Sequence, residues 1–145
     1  MKRAFLIVVL VLICSFIALG AQPANLVTDP AAFIYFGEVV VGTSADQVVR
    51  ISASGTLGMS VNIQSIQITD NPTGEFQVLN VPALPYPLFV GSFLDVVVRY
   101  TPTDNFGHSG NLVIAPVSAM PRTIGLSGEG RALAMQSEPP SWDFG

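Results

Sequence analysis

Cysteine is nearly missing: Cys14 is the single one in 145 residues, and it sits in the apolar stretch at the N-terminus. One cysteine excludes an internal disulfide and a cysteine-ligated zinc site. Histidine is just as scarce, with His108 alone, and a lone histidine cannot build a zinc site either. Charge is thin, at 11% of the chain. Without Lys2 and Arg3 four basic residues remain, Arg50, Arg99, Arg122 and Arg131, against ten acidic ones, a net of −6. Such a surface repels a phosphate backbone, which argues against nucleic-acid binding.

Long hydrophobic runs are also absent, with one exception. Residues 4–20 carry no charge and follow Met1-Lys2-Arg3, which is a basic segment leading into an apolar one. Residues 1–20 therefore read as a signal helix that directs export. Ala18 and Gly20 are small residues at the −3 and −1 positions of a cut before Ala21. The alternative is an uncleaved signal-anchor, because the run is about as long as the shortest bilayer-spanning helices. A lipid attachment at Cys14 does not fit, since Ile13 is bulky and the apolar run continues past it.

Beyond the leader no window supports a long amphipathic helix. The apolar residues instead alternate with polar ones and are interrupted by Gly, Pro, Asn and Asp about every ten residues. In 93–101, Leu94, Val96, Val98 and Tyr100 share one face, while Asp95 and Arg99 share the other. The first face is expected in the core and the second in water. Residues 47–52 repeat the logic, with Val49 and Ile51 inward and Arg50 outward, so that Arg50 and Asp95 are expected to pair across neighbouring strands.

Met59, Val61 and Ile63 occupy odd positions and Ile66 and Ile68 even ones. An extra residue near Gln64-Ser65, a β-bulge, keeps both sets inward. Strands are further expected at 34–41, 76–79, 111–115 and 122–126. Pro82, Pro85 and Pro87 confine the stretch around them to a crossing loop or a sheet edge. About seven short strands in roughly 100 residues predict an all-β, immunoglobulin-like, seven-stranded sandwich over residues 21–131.

The end of the chain echoes its beginning. Ser141-Trp142-Asp143-Phe144-Gly145 matches Phe33-Ile34-Tyr35-Phe36-Gly37 in pattern, and Phe144 lies 108 positions after Phe36. Residues 132–137 then read as a linker, 132–145 as that linker plus the first strand of a truncated second repeat, and the chain as a fragment of a longer array.

Seven segments in order resemble one known family. They are Phe36-Gly37-x-Val39-x-x-Gly42, Val49-x-Ile51-x-x-Ser54-Gly55, Val61-x-Ile63-x-x-Ile66-x-Ile68, Phe76-x-Val78, Val96-x-Val98-x-Tyr100-x-Pro102, Gly110-x-Leu112-x-Ile114 and Leu126-x-Gly128-x-Gly130. The pattern is similar to the ASH (abnormal-spindle and Hydin) domains and their bacterial choice-of-anchor D relatives, akin to major sperm protein folds. Ser54 stands where the family often has Asn. The resemblance implies a non-catalytic module used in tandem, found in ciliary and centrosomal proteins of eukaryotes and in exported surface proteins of bacteria. The leader points to the second group.

Candidate chemistry is sparse. Ser109 beside His108 suggests a nucleophile and base, but neighbours on an extended chain point to opposite faces. His108 is expected in a turn-forming loop after Pro102. Asp104 with Asn105, and Asp70 with Asn71, offer oxygens to calcium but too few carboxylates for a site, and such residues commonly build turns. Phe33, Phe36, Phe76, Phe93 and Tyr100 recur at strand spacing and are expected in the core. Tyr86, Leu88 and Phe89 in the proline-rich stretch are the candidate partner contact, or else a plug for one end of the sandwich.

The sequence thus predicts no catalytic, cofactor-binding or metal-binding residue. It predicts a structural or protein-binding repeat of a secreted, periplasmic or cell-surface protein whose partners are proteins or neighbouring repeats, with membrane contact through an uncleaved leader alone. The alternatives are an accessory domain of a larger secreted enzyme and a cilium- or centrosome-type scaffold.

Overall fold

In a strand, side chains alternate between faces, and this chain alternates almost without interruption. The computed structural model describes residues 22–134. The leader at 1–20, the linker beyond residue 134 and the repeated motif at 141–145 lie outside the described residues. In chain order the strands are β1 (Asn25–Asp29), β2 (Phe33–Val40), β3 (Ala45–Ser54), β4 (Ser60–Thr69), β5 (Phe76–Leu79), β6 (Tyr86–Phe89), β7 (Phe93–Tyr100), β8 (Gly107–Pro116) and β9 (Arg122–Arg131). They form two sheets, β1-β3-β7-β5 and β2-β9-β8-β4-β6. The fold is an all-β sandwich of nine strands, not seven.

The two additional strands have clear reasons. Phe36 and Gly37 mark the body of the first expected strand, yet the chain pairs earlier as well. β1 runs antiparallel to β3, with Leu26 opposite Ala53. The chain then crosses at Pro30-Ala31-Ala32, and β2 runs parallel to β9 in the other sheet, with Ile34 opposite Leu126. One long edge segment is thus shared between two sheets. β6 is the sheet edge that the prolines allow: it pairs β4 alone within its sheet, and Pro87, which lacks an N–H, stands opposite Asn62.

Val49 and Ile51 of β3 and Val96, Val98 and Tyr100 of β7 are fully buried, as are Ile63, Leu112, Ile114 and Ile124 from the facing sheet. Burying each such side chain contributes about 1.5–3 kcal/mol before entropy is subtracted. The β4–β8 register shifts between Ile63 and Ser65, which keeps both Ile63 and Ile66 inward. On the outer face of β3 and β7, Arg50 Nε and an Nη bond both carboxylate oxygens of Asp95 at 2.9 Å. Arg99 clasps Asp46 in the same way at 2.8 Å.

Two aromatic residues expected in the core stand outside it. Phe33 and Phe93 occupy outward positions of β2 and β7, because the alternation that buries Ile34, Phe36 and Val96 and packs Leu94 against the core turns their neighbours out. Phe33 covers Gly125, where a Cβ would come within 3.0 Å of its ring. Phe93 carries the Arg50 guanidinium 3.9 Å above its ring centroid.

The register gives the sandwich two ends. The upper end gathers loops 41–44, 70–75 and 101–106 and the exit of β9. The lower end gathers the entry to β1, loops 55–59 and 117–121, and the turn at 90–92. No helix among the described residues is long and apolar enough to cross a membrane.

Candidate functional site

Titratable side chains converge at the upper end. His108 lies at the start of β8, not in a loop, and its inward turn follows from the same alternation that buries Leu112 and Ile114. Its Nδ1 is 2.7 Å from the Tyr100 hydroxyl. Its Nε2 is 3.4 Å from Glu75 Oε1 and 3.2 Å from Asp104 Oδ1. With two carboxylate oxygens facing Nε2, the proton of the neutral ring belongs there, and Nδ1 accepts from the Tyr100 O–H. This tautomer is assigned from the geometry.

Glu75 is buried although it ends a loop. The Thr103 hydroxyl donates to Oε1 at 2.9 Å, the Thr73 hydroxyl donates to Oε2, and the Thr101 amide donates to the Glu75 carbonyl at 2.8 Å. Burial alone raises the Glu75 pKa. The two threonine hydroxyls, its own amide and the nearby His108 act the other way and together hold it below the ordinary value. Tyr100 is pushed up to about 12, first by burial and then by the charges of Glu75, Asp104 and Glu129. Its ring stacks on Phe76 at 4.8 Å, and a Cβ on Gly128 would come within 2.4 Å of it.

The chemistry of this cluster is that of a closed network. His108 is engaged at both nitrogens and Glu75 at both oxygens, while Ser109 points to the opposite face of β8. A cleft of about 280 Å³ beside it is lined by Pro72, Thr73, Asp104, Phe106, His108 and Ser109, among others. Asp104 and Asp70 serve the backbone and neighbours: Phe106 N donates to Asp104 Oδ1 at 3.0 Å, and Asn111 Nδ2 donates to Asp70 Oδ2 at 2.7 Å. Among the described residues no group of three or more His, Cys, Asp or Glu is arranged to hold a metal ion. Sequence reasoning missed this cluster because Glu75 and Tyr100 stand at the end of the four-stranded sheet and reach His108, in the facing sheet, only across the sandwich. A charged residue at the start of a core strand, immediately before Phe76, was the available signal.

The proline-rich candidates are divided by the register of β6. Leu88 points inward and is 1% exposed, Tyr86 is half-buried against the core, and Phe89 is 53% exposed opposite Ser60. The outer face of the five-stranded sheet holds a second, larger feature. Phe33, 56% exposed, and Tyr35, 60% exposed, stand on its open edge strand β2. Across from them the register aligns Gly125, Ser127, Ser109 and Asn111, none of them charged.

No protein-family model and no curated protein matches the sequence. Solved structures do match. The secreted serine protease VesC from Vibrio cholerae superposes with a TM-score of 0.55 at 15% identity, over 73% of this chain and 23% of its own. A family 123 glycoside hydrolase from Clostridium perfringens superposes with a TM-score of 0.57 at 8% identity, over 77% of this chain and 28% of its own. An ASH / PapD-like domain of human CEP192 reaches a TM-score of 0.45 at 10% identity, over 78% of this chain and 88% of its own, too loose a superposition to carry an argument. This chain spans less than a third of the length of the two enzymes, and at these identities the likeness is one of β-sandwich fold.

Proposed function

We propose that this chain is a non-catalytic, protein-binding immunoglobulin-like module of an exported protein, of the ASH and choice-of-anchor D kind, used in tandem with further repeats. The observation that carries the reading is the uncharged stretch of the five-stranded sheet's outer face at Phe33, Tyr35, Gly125, Ser127, Ser109 and Asn111, which ends at Glu38 and Glu129 toward the upper end and leaves Phe33 and Tyr35 exposed along the open edge. Removing that stretch from water costs little, because no ion within it has to be desolvated. Aromatic side chains are enriched as anchors in protein interfaces, and an open edge offers backbone groups for pairing. Phe89 on the opposite edge strand is a secondary contact point. The closed network around His108 supports a structural role for the cluster that most resembles catalytic machinery.

A photo-crosslinking residue in place of Tyr35, in the protein expressed in its native cell, tests this. Adducts with a protein are expected there and not at Gln77, which is exposed on β5. Equal labelling at both positions, or hydrolysis of a peptide or glycoside by the purified chain that His108→Ala abolishes, would contradict it.

The second reading, an accessory module of a larger secreted enzyme, is favoured by the match to portions of a protease and a glycoside hydrolase. The coding sequence downstream of Gly145 separates the two readings. Further sandwich repeats favour the first, and a hydrolase-like domain favours the second.

A further inference from the structure

The lower end carries a surface that the protein-binding reading leaves unused. Loop 55–59 presents Leu57, 82% exposed, together with Met59, and the β8–β9 turn presents Val117 and Met120, the latter 79% exposed. Backbone bonds hold these segments at one end: Met59 N donates to Thr56 O at 3.2 Å, Val90 N to Met59 O at 2.9 Å and Val117 N to Asn62 O at 3.0 Å. Residues 54–60, 89–92 and 116–121 contain no Asp, Glu, Lys or Arg. Arg122 borders the last of these, and its Nε is turned back to Leu26 O at 2.8 Å. On a chain with ten acidic residues, an end with four exposed apolar side chains, uncharged loops and Arg122 at its border is a distinct surface.

The place where the chain enters says what covers it. Gln22 N donates to Thr56 Oγ1 at 3.0 Å, one residue from Leu57. Before Gln22, with Ala21 alone between them, the sequence is the uncharged apolar run of residues 4–20. A leader lying in a bilayer therefore delivers this end, and no other, to the membrane surface.

We propose that the lower end rests on the bilayer that holds the leader, with Leu57 and Met120 among the interfacial acyl chains. The inference rests on residues 1–20 being a membrane-embedded leader, and it concerns the chain while that leader is attached. Without Lys or Arg in the contact loops, a neutral phosphatidylcholine surface suffices, since apolar burial is the driving term. A second copy seated end to end would have to fit two leaders into the same contact.

The test uses the full chain with Cys14→Ser, reconstituted in phosphatidylcholine vesicles and checked by flotation. Single cysteines from Leu57→Cys, Met120→Cys and, at the upper end, Asn105→Cys carry a polarity-sensitive fluorophore. Labels at 57 and 120 are expected to shift to the blue, to be quenched by lipid-borne nitroxides and to be shielded from aqueous iodide, with the label at 105 behaving oppositely. Adding Met59→Glu is expected to reopen the label at 120 to iodide. Labels at 57 and 120 that stay open to iodide on a chain that floats overturn the contact and leave the leader reading standing. A chain that does not float overturns both. Shielding that persists without lipid and grows with protein concentration assigns the surface to a second copy and overturns the proposal.

Discussion

At the upper end of the sandwich, the loops 41–44, 70–75 and 101–106 are tied to one another by side chains. Thr73 and Thr103 bond Glu75, Tyr100 bonds His108, and the Ser44 and Thr101 hydroxyls lie 2.7 Å apart, in addition to backbone bonds such as Gly130 N to Phe106 O at 2.9 Å. At the lower end the loops are fixed mainly by backbone bonds, and their longest side chains point into water. The difference teaches that one end of a β-sandwich can be specified by a buried polar network while the other is left free for contact. A buried network is costly to leave half-satisfied, so the upper end tolerates little change. Exposed apolar tips contribute little to folding, so the lower end tolerates much.

A pair of glycines breaks the comparison most sharply. A Cβ on Gly130 would stand 1.8 Å from the Asp104 carbonyl oxygen, a contact with backbone that no side-chain rotation relieves. Gly130→Ala is expected to cost more than about 4 kcal/mol and to leave little folded protein by circular dichroism. At the lower end, Gly58 has a φ of 89°, and a Cβ there would meet no atom within 4 Å. Gly58→Ala should therefore cost about 1 kcal/mol, from backbone strain alone.

Glu75→Ala is the next largest effect. It strands the Thr73 and Thr103 hydroxyls and removes the carboxylate facing His108, for an expected loss of about 1–3 kcal/mol in urea unfolding. The same residue makes the upper end sensitive to acid. Its folded pKa lies below the ordinary glutamate value near 4.5. The stabilisation it provides is then fully present above that value and is lost as pH falls through the lower, folded value. Glu75→Gln should flatten the fall in melting temperature below pH 4.5, and an unchanged acid profile would show that other carboxylates govern it.

The smallest effect is expected at the lower end. Leu57→Ser and Met120→Ser should each change stability by no more than about 0.5 kcal/mol, because neither side chain is packed in the core. A larger loss by calorimetry would mean that these tips are part of the fold.

What the sequence reveals follows from how local each signal is. Leu94, Val96, Val98 and Tyr100 alternate with Asp95 and Arg99, so strand, facing and the Arg50–Asp95 pair are all legible. The change of phase between Ile63 and Ile66 announces the bulge. β1 is harder to read, because it buries a single large apolar residue, Leu26, beside the polar Thr28 while Val27 faces outward, and the chain crosses to the other sheet just after it. Phe33 and Phe93 mislead because aromatic character suggests burial while their place in the alternation puts them outside. The His108 cluster is the least legible feature, since the pairing of Phe76 with Tyr100 brings Glu75 to the end of one sheet and His108 meets both from the facing sheet, an approach that no local pattern announces.

Native-state hydrogen exchange by NMR tests the contrast between the ends most directly. The amides of Thr101 and Gly130, bonded to Glu75 O and Phe106 O at the upper end, are expected to exchange only on near-global opening, and Glu75→Gln should speed them selectively. The amides of Leu57, Gly58 and Ala119 should exchange fast in both proteins. Equal protection at the two ends, or a Glu75→Gln variant in which Thr101 and Gly130 keep their protection, would contradict the account.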